Sequence, residues 1–434
     1  MDAARPSRLD PWVEAYATRA RGMTASEIRA LFAVASRPEV VSLAGGMPFV
    51  QALSSDVMAQ TATRVLVDRG AVALQYGSGQ GDPTLREQIL EVMGEVGISA
   101  HPDDIVVTPG SQMALDLVVR IFCDPGDVVL VEAPSYVGAL GVFRAYECDV
   151  VHVAMDSEGL SPDALRAAIA RATAEGKRVK MLYTIPSYHN PAGVTQGSAR
   201  RAEIVAIAQS HGILVLEDDP YGLLGFDSET PPRAMRADEA DGVIYLGSFS
   251  KTIAAGLRVG WALAPHGVRE KLVLAAESAL LCPSNLTQLV VSDYLATEPW
   301  RDQIKVFREI YRERRDALLG ALDAMMPAGT RWTVPAGGFY SWVTLPDGLD
   351  SKAMLPRAVA ALVAYVPGTG FFVDGQGSDS LRLSYCYPDP DRIREGVRRL
   401  SGVLEAEVAL HDTFGTGGLR APSAGPQAPA PDLR

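Results

Sequence analysis

The chain has 434 residues, of which 47% are hydrophobic and 21% charged; this is the balance of a globular protein, long enough for one large domain plus a smaller one. Its 40 basic and 52 acidic residues give a net charge of −12, which argues against a general nucleic-acid or anionic-membrane surface. Four scattered cysteines (Cys123, Cys148, Cys282, Cys386) with no Cys-x-x-Cys pair argue against a zinc site or disulfide frame, and point to a reduced, cytoplasmic protein.

Residues 1–50 carry a helical pattern over 26–35 and a Gly-Gly-Met-Pro loop, expected to pack with the smaller domain. The N-terminus has no apolar signal-peptide core, and no apolar run approaches the roughly 18 residues of a membrane span. Tyr76-Gly77-Ser78-Gly79-Gln80-Gly81 looks like a nucleotide loop. It lacks the full Gly-x-Gly-x-x-Gly spacing and a βαβ setting, so a dinucleotide site is not expected. From 51 to 304, short apolar runs alternate with helical patterns. The runs 105–108, 128–131, 150–153, 181–184, 213–216, 243–246 and 259–264 read as strands covered on both faces. One intervening helix opens at Ser161-Pro162-Asp163, with Ser161 as N-cap. The expectation is an α/β/α domain on a mostly parallel, seven-stranded sheet. Residues 305–411 change character. A charged helix over 307–326, apolar segments at 332–334, 338–345 and 381–384, and helices at 353–363 and 391–405 read as a smaller α+β domain. Residues 412–434 are rich in Pro, Gly and Ala and read as a disordered tail.

The chemistry gathers just past the C-terminal ends of the expected strands, where open α/β sheets bind ligands. Lys251 follows an apolar strand, with Ser248 and Ser250 before it and Arg258 after it. Hydroxyls and an arginine suit a phosphate, and an amine beside a phosphate suggests a Schiff base to a phosphorylated aldehyde, pyridoxal 5'-phosphate. Such a cofactor needs a carboxylate at its pyridine nitrogen. Asp218 in Glu217-Asp218-Asp219-Pro220-Tyr221 fits, with Tyr221 three residues on for the phenolic oxygen; the alternative is a solvated acidic turn. Asn190 is a second donor to that oxygen, or else part of an Asn-Pro turn, and the neighbouring His189 reads as a loop or surface histidine. Gly110-Ser111-Gln112 opens a helix whose free N–H groups would hold an anion, unless Ser111 merely caps it. Tyr136 would stack on a ring or be a buried core tyrosine. Arg382, alone in the alternating run Leu381-Arg382-Leu383-Ser384, faces either an α-carboxylate or water.

Taken together, these motifs resemble the fold type I pyridoxal-phosphate aminotransferases of class I/II, and within them the subgroup of 2-aminoadipate and kynurenine aminotransferases. The likeness rests on Ser-Phe-Ser-Lys…Gly-Leu-Arg-Val-Gly-Trp, Glu-Asp-Asp-Pro-Tyr, Asn-Pro-Ala-Gly and Leu-Arg-Leu-Ser-Tyr, and spans residues 25–405. It implies that Lys251 is the Schiff-base lysine and proton carrier, Asp218 the partner of the ring nitrogen, and Asn190 and Tyr221 the donors to the phenolic oxygen. Ser111, Gln112, Ser248, Ser250 and Arg258 would cradle the phosphate, Tyr136 would stack, and Arg382 would clamp the substrate carboxylate. Tyr76 would reach the phosphate of a second subunit, which implies a homodimer with shared sites. Gly46 lies in a segment that covers the substrate, and Arg29 would face an acidic side chain, or be a surface arginine.

The implied reaction moves an α-amino group between an L-amino acid and a 2-oxo acid in ping-pong fashion, with 2-oxoglutarate and glutamate as one pair. No metal, nucleic acid or membrane is called for. The rivals are a lyase, decarboxylase or oxidase using the same cofactor, and a non-catalytic sensor that retains the domain. The amino donor stays open among 2-aminoadipate, aromatic, branched-chain and specialised amino acids.

Overall fold

The structure, a computed structural model, describes residues 12–21, 37–239 and 241–414. The expected helix over 26–35, Arg29 within it, and residues 415–434 lie outside these. Val41–Ser42 (β1) comes first among the described strands. Eight further strands form the main sheet: Ile105–Thr108 (β2), Val128–Ala133 (β3), Asp149–Asp156 (β4), Gly159–Leu160 (β5), Val179–Thr184 (β6), Leu214–Asp218 (β7), Val243–Ser248 (β8) and Gly260–Leu263 (β9). Their spatial order is β2-β9-β8-β7-β6-β3-β4-β5. β9 runs antiparallel to both neighbours and β5 antiparallel to β4, while the rest are parallel. The sheet therefore has eight strands and not seven. The added one, β5, is two residues long and folds back on β4, too short for any periodicity to announce it.

The apolar runs arise because both faces are covered. In β3, Val128 and Leu130 enter one buried core, whereas Val129 and Val131 enter another across the sheet. Flanking helices close these cores. The first described long helix is Ser55–Ala73 (α1), and Ser111–Phe122 (α2) packs its apolar face on the sheet beneath β2, β9 and β8. Pro162–Ala174 (α3) is capped as expected, with the Ser161 side chain accepting from the Ala164 amide at 3.3 Å.

A second sheet holds Arg331–Trp332 (β10), Tyr340–Thr344 (β11), Val366–Pro367 (β13) and Ser380–Ser384 (β14), in the order β10-β11-β14-β13 and antiparallel throughout. β1 pairs in parallel with Val363–Ala364 (β12), and the Ser384 amide donates to the Leu43 carbonyl at 2.7 Å, so residues 41–43 join this second layer. Trp300–Met325 (α4) begins well before 307. Its Trp300 and Ile304 enter the core under β2 and β9, while Phe307 and Tyr311 enter the core around the second sheet. The last described helix, Pro390–Phe414 (α5), continues past 405 and takes in residues 412–414, which composition assigns to the tail.

Candidate active site

The ends of β3, β6, β7 and β8 open on one cavity of about 300 Å³, closed on its far side by residues 46–47, β11 and β14. Ser111, Gln112, Tyr136, Asn190, Asp218, Tyr221, Ser248, Ser250, Lys251, Arg258, Gly46 and Arg382 all line it. Of the residues singled out in the sequence, Tyr76 lies elsewhere, 76% exposed, and Arg29 falls outside the described residues.

Lys251 emerges from a single π-helical turn, Ser250–Ala254, directly after β8. Its ammonium donates to the Gly46 carbonyl at 2.9 Å and lies 5.6 Å from the Phe339 ring centroid. Burial pulls its pKa down to about 8; Cys386 opposes this, and the positive charges of Arg382 and then Arg258 add to the lowering. The arginines thus act in the direction expected for a neutral lysine, but removal from water contributes most.

Asp218 ends β7. Glu217, Asp218 and Asp219 are all buried, so the stretch is not a solvated turn. Glu217 is held by the amides of Met235 and Arg236, and Asp219 accepts from the Tyr245 hydroxyl. The Asp218 Oδ2 accepts from the Tyr183 hydroxyl at 2.7 Å, whereas Oδ1 is buried with no partner. Burial raises the pKa of Asp218 to about 7; the Tyr183 bond opposes this and Asp219 adds to it.

Arg382 on β14 is fully buried. Its guanidinium donates to Asn190 Oδ1 at 2.9 Å and to the Ala44 carbonyl at 2.7 Å, and lies over the Tyr340 ring at 4.2 Å. Its Nε has no partner, and among the described residues no carboxylate pairs with it. A buried cation held only by neutral groups is a site for an anion. Asn190 accepts from Arg382 through its oxygen, so its amide nitrogen can face a further acceptor.

At the other end of the cavity, Gly110 adopts φ +84°, and a Cβ there would lie 2.4 Å from the Arg258 guanidinium. Only glycine admits this approach. Gly110, not Ser111, occupies the N-cap of α2, with no side-chain cap, so the simple capping role for Ser111 does not hold. The N-terminal amides of α2 instead open toward the hydroxyls of Ser248 and Ser250, 2.9 Å apart, and Arg258, an arrangement suited to phosphate. The Tyr136 hydroxyl donates to Gln112 Oε1 at 3.3 Å. The Tyr221 hydroxyl donates to that of Tyr340 at 3.5 Å.

Sequence reasoning missed several residues here. His189 is wholly buried and not at the surface. Its Nε2 lies 3.0 Å from Glu132 Oε2, too poorly aligned for a hydrogen bond, and its Nδ1 accepts from the Ala192 amide. Glu132 also accepts from Thr184, the Ile185 amide and Gln196, which fixes the 184–196 loop that carries Asn190. Burial opposes the charge of Glu132, but His189 and these donors together hold its pKa below the usual range. A lone carboxylate ending the apolar run of β3 was the available signal. Tyr340 had a weaker one, an aromatic after Gly337-Gly338; its hydroxyl sits where a Cβ on Gly46 would fall, at 2.0 Å. The thiol of Cys386 is bonded to the Met47 carbonyl at 3.1 Å.

A mostly parallel sheet whose strand ends bring together a buried lysine, an unpartnered buried carboxylate oxygen, an arginine without a counter-ion and a phosphate-shaped helix terminus defines a cofactor-dependent amine-handling enzyme. The signature of Aminotransferase class I and II matches residues 39–400, and the chain belongs to that family. It is similar to aromatic-amino-acid aminotransferase 1 of Thermococcus litoralis, 41% identical over 396 residues, which cover 91% of this chain and 94% of that one. Among solved structures it resembles Pyrococcus horikoshii kynurenine aminotransferase in complex with PMP (TM-score 0.87, 38% identity, 91% of this chain and 98% of that one). It also resembles the α-aminoadipate aminotransferase LysN of Thermus thermophilus, complexed with N-(5'-phosphopyridoxyl)-L-leucine (TM-score 0.85, 39% identity, 92% and 99%). No described helix is long and apolar enough to cross a membrane.

Proposed function

We propose that this aminotransferase uses pyridoxal 5'-phosphate in the cavity at the ends of β3, β6, β7 and β8, and transfers the amino group of an acidic or aromatic L-amino acid, with 2-oxoglutarate and glutamate as the second pair. The observation that carries the reading is the unpartnered Asp218 Oδ1 in the same cavity as Lys251. The cavity's polar groups match the cofactor's parts: Asp218 Oδ1 for a protonated ring nitrogen, Lys251 for the aldehyde carbon, Tyr221 and the Asn190 amide for the phenolic oxygen. Ser111, Gln112, Ser248, Ser250 and Arg258 would hold the phosphate, and Tyr136 would cover the ring. When bound, the cofactor supplies an electron sink for the charge left at the substrate α-carbon. Lys251 Nζ, neutral at the moment of action, takes the α-proton and returns it. Arg382, steadied by Asn190, orients the substrate through its carboxylate, which sets the α C–H toward the lysine. Tyr340 and Gly46 close the cavity against water.

The substrate range is supported by the activities for which the relatives are named and, for acidic side chains, by the sequence position of Arg29. We further propose a homodimer with shared sites. Exposed Tyr76 follows exposed Leu66, Val67, Val72 and Leu74 in the chain, apolar side chains that a second copy would cover. Residues 51–304 and 305–411 are read as the large and small domains, meeting within α4. Four unpaired thiols suit a cytoplasmic setting.

The test is a visible absorption spectrum of the purified protein during additions of single amino acids. A band that bleaches with some amino acids and returns with 2-oxoglutarate supports the reading and ranks the donors. A protein that takes up the cofactor but transfers no amino group to any 2-oxo acid overturns it.

A further inference from the structure

Among the buried polar groups, Tyr183 is one that the chemistry above leaves without a task. It sits on β6, fully buried, its ring edge-on to Phe143 at 5.6 Å and its hydroxyl donating to Asp218 Oδ2 at 2.7 Å. Phe143 belongs to the core under the sheet, so the ring has a packing role that does not require a hydroxyl. The hydroxyl occupies one carboxylate oxygen and leaves the other, Oδ1, buried and unpartnered on a residue that lines the cavity.

We propose that Tyr183 is a positioning residue for the cofactor, whose hydroxyl fixes the plane of the Asp218 carboxylate and favours its ionised form, so that Oδ1 alone is presented to the ring nitrogen. This rests on the cofactor reading above. The physical basis is the asymmetry of a buried carboxylate. Removal from water favours the neutral acid, and a hydrogen bond donated to the charged form opposes that. The other groups facing the pair push the wrong way. Asp219 repels a charge on Asp218, and Tyr136 and Tyr245 become costlier to ionise beside it. Burial first, then Asp218, and after it Tyr136 and Glu132, disfavour the Tyr183 phenolate, so it remains a neutral donor. The Tyr183 hydroxyl is thus the one direct hydrogen-bond donor to Asp218 among the described residues.

The variant Tyr183→Phe keeps the ring and its packing. Its dissociation constant for pyridoxal 5'-phosphate, measured by fluorescence titration of the apoprotein, is expected to rise about tenfold or more at pH 6.5. The rise should shrink toward pH 9, where Asp218 is ionised with or without its donor. Replacing Tyr183 by 3-fluorotyrosine, a stronger donor of nearly the same size, should move the pH profile the other way. Equal weakening at every pH, or no weakening, would overturn the proposal. A second readout does not need the cofactor. The melting temperature of the apoprotein against pH should shift its inflection upward in Tyr183→Phe, and this shift should vanish in an Asp218→Asn background. Failure of the cofactor reading would give a blank titration in wild type while leaving this second shift; failure of the Tyr183 proposal would remove the shift while wild type still binds.

Discussion

Arg382 and Asn190, 192 positions apart in the chain, are joined by a 2.9 Å hydrogen bond between the guanidinium and the side-chain carbonyl oxygen. That bond ties β14 of the second sheet to the loop after β6 of the first. It also places a cation beside the Asn190 amide nitrogen, and on the proposed reading one contact would align the substrate's carboxylate with the cofactor ring.

Arg382→Lys retains the charge but loses the forked donor. The expected result is a fall in kcat/KM of roughly 100-fold for every amino acid, carried mainly by KM, because the clamp holds ground state and transition state alike. The visible band of the holoenzyme should remain. Steady-state kinetics with several donors check this.

Lys251→Ala should fold and take up cofactor that dialysis removes, with no measurable transamination. In the wild-type apoprotein, burial depresses the amine from 10.5 to about 8. A lowered lysine pKa means the neutral, nucleophilic form grows as pH rises through 8. The rate of modification of Lys251 by an amine reagent, followed by peptide mass mapping, should therefore reach half its maximum near pH 8, well below exposed lysines.

Asp218 makes the empty site costly. Its pKa is 3.8 in the open chain and about 7 when folded, so the folded apoprotein binds the extra proton between those values and loses stability as pH rises through the window. The difference amounts to roughly 4 kcal/mol at most above pH 7. Asp218→Asn should therefore raise the apoprotein's denaturation midpoint at pH 8, leave it little changed below pH 4, and abolish tight cofactor binding. Urea titrations at both pH values, with and without cofactor, test all three outcomes.

Gly46→Ala would drive a methyl group into the Tyr340 hydroxyl and shift the carbonyl that holds Lys251. Activity should drop at least tenfold, and Tyr340→Phe should restore part of it, since it removes the atom that clashes. A second variant that rescues nothing would show that the loop backbone, and not the hydroxyl, sets the limit.

Glu132→Ala should destabilise the fold by about 3–5 kcal/mol, because it strands several buried donors and a histidine at once. Thermal unfolding measures the loss. Residual enzyme should show a raised KM, as Asn190 loses the loop that carries it.

The strands and the cavity residues were legible because several apolar runs lead to a polar residue that lines the cavity, as Leu246 leads to Ser248 and Leu216 to Asp218. Residues whose task is to hold others were not legible. Tyr183 lies inside an apolar strand, where tyrosine is an ordinary core residue, and its meaning appears only when β7 sets Asp218 beside it. His189 does lie in a loop, but its burial was not legible for a related reason: its neighbour, Glu132, is far away in sequence and meets it only through the β3–β6 pairing. The start of α4 was missed because Trp300 to Ile304 follow the same helical period but bury against a different core, so the change of partner resembled an end of the element.

That change of partner within α4 bears on how the molecule melts. Ile304 and Phe307 are one turn apart, yet each is anchored in a different core. Loosening the core under β2 and β9 frees the Trp300 end of the rod, and loosening the other core frees its longer remainder. The two sheets therefore share their fate, and calorimetry on the apoprotein should record one sharp endotherm.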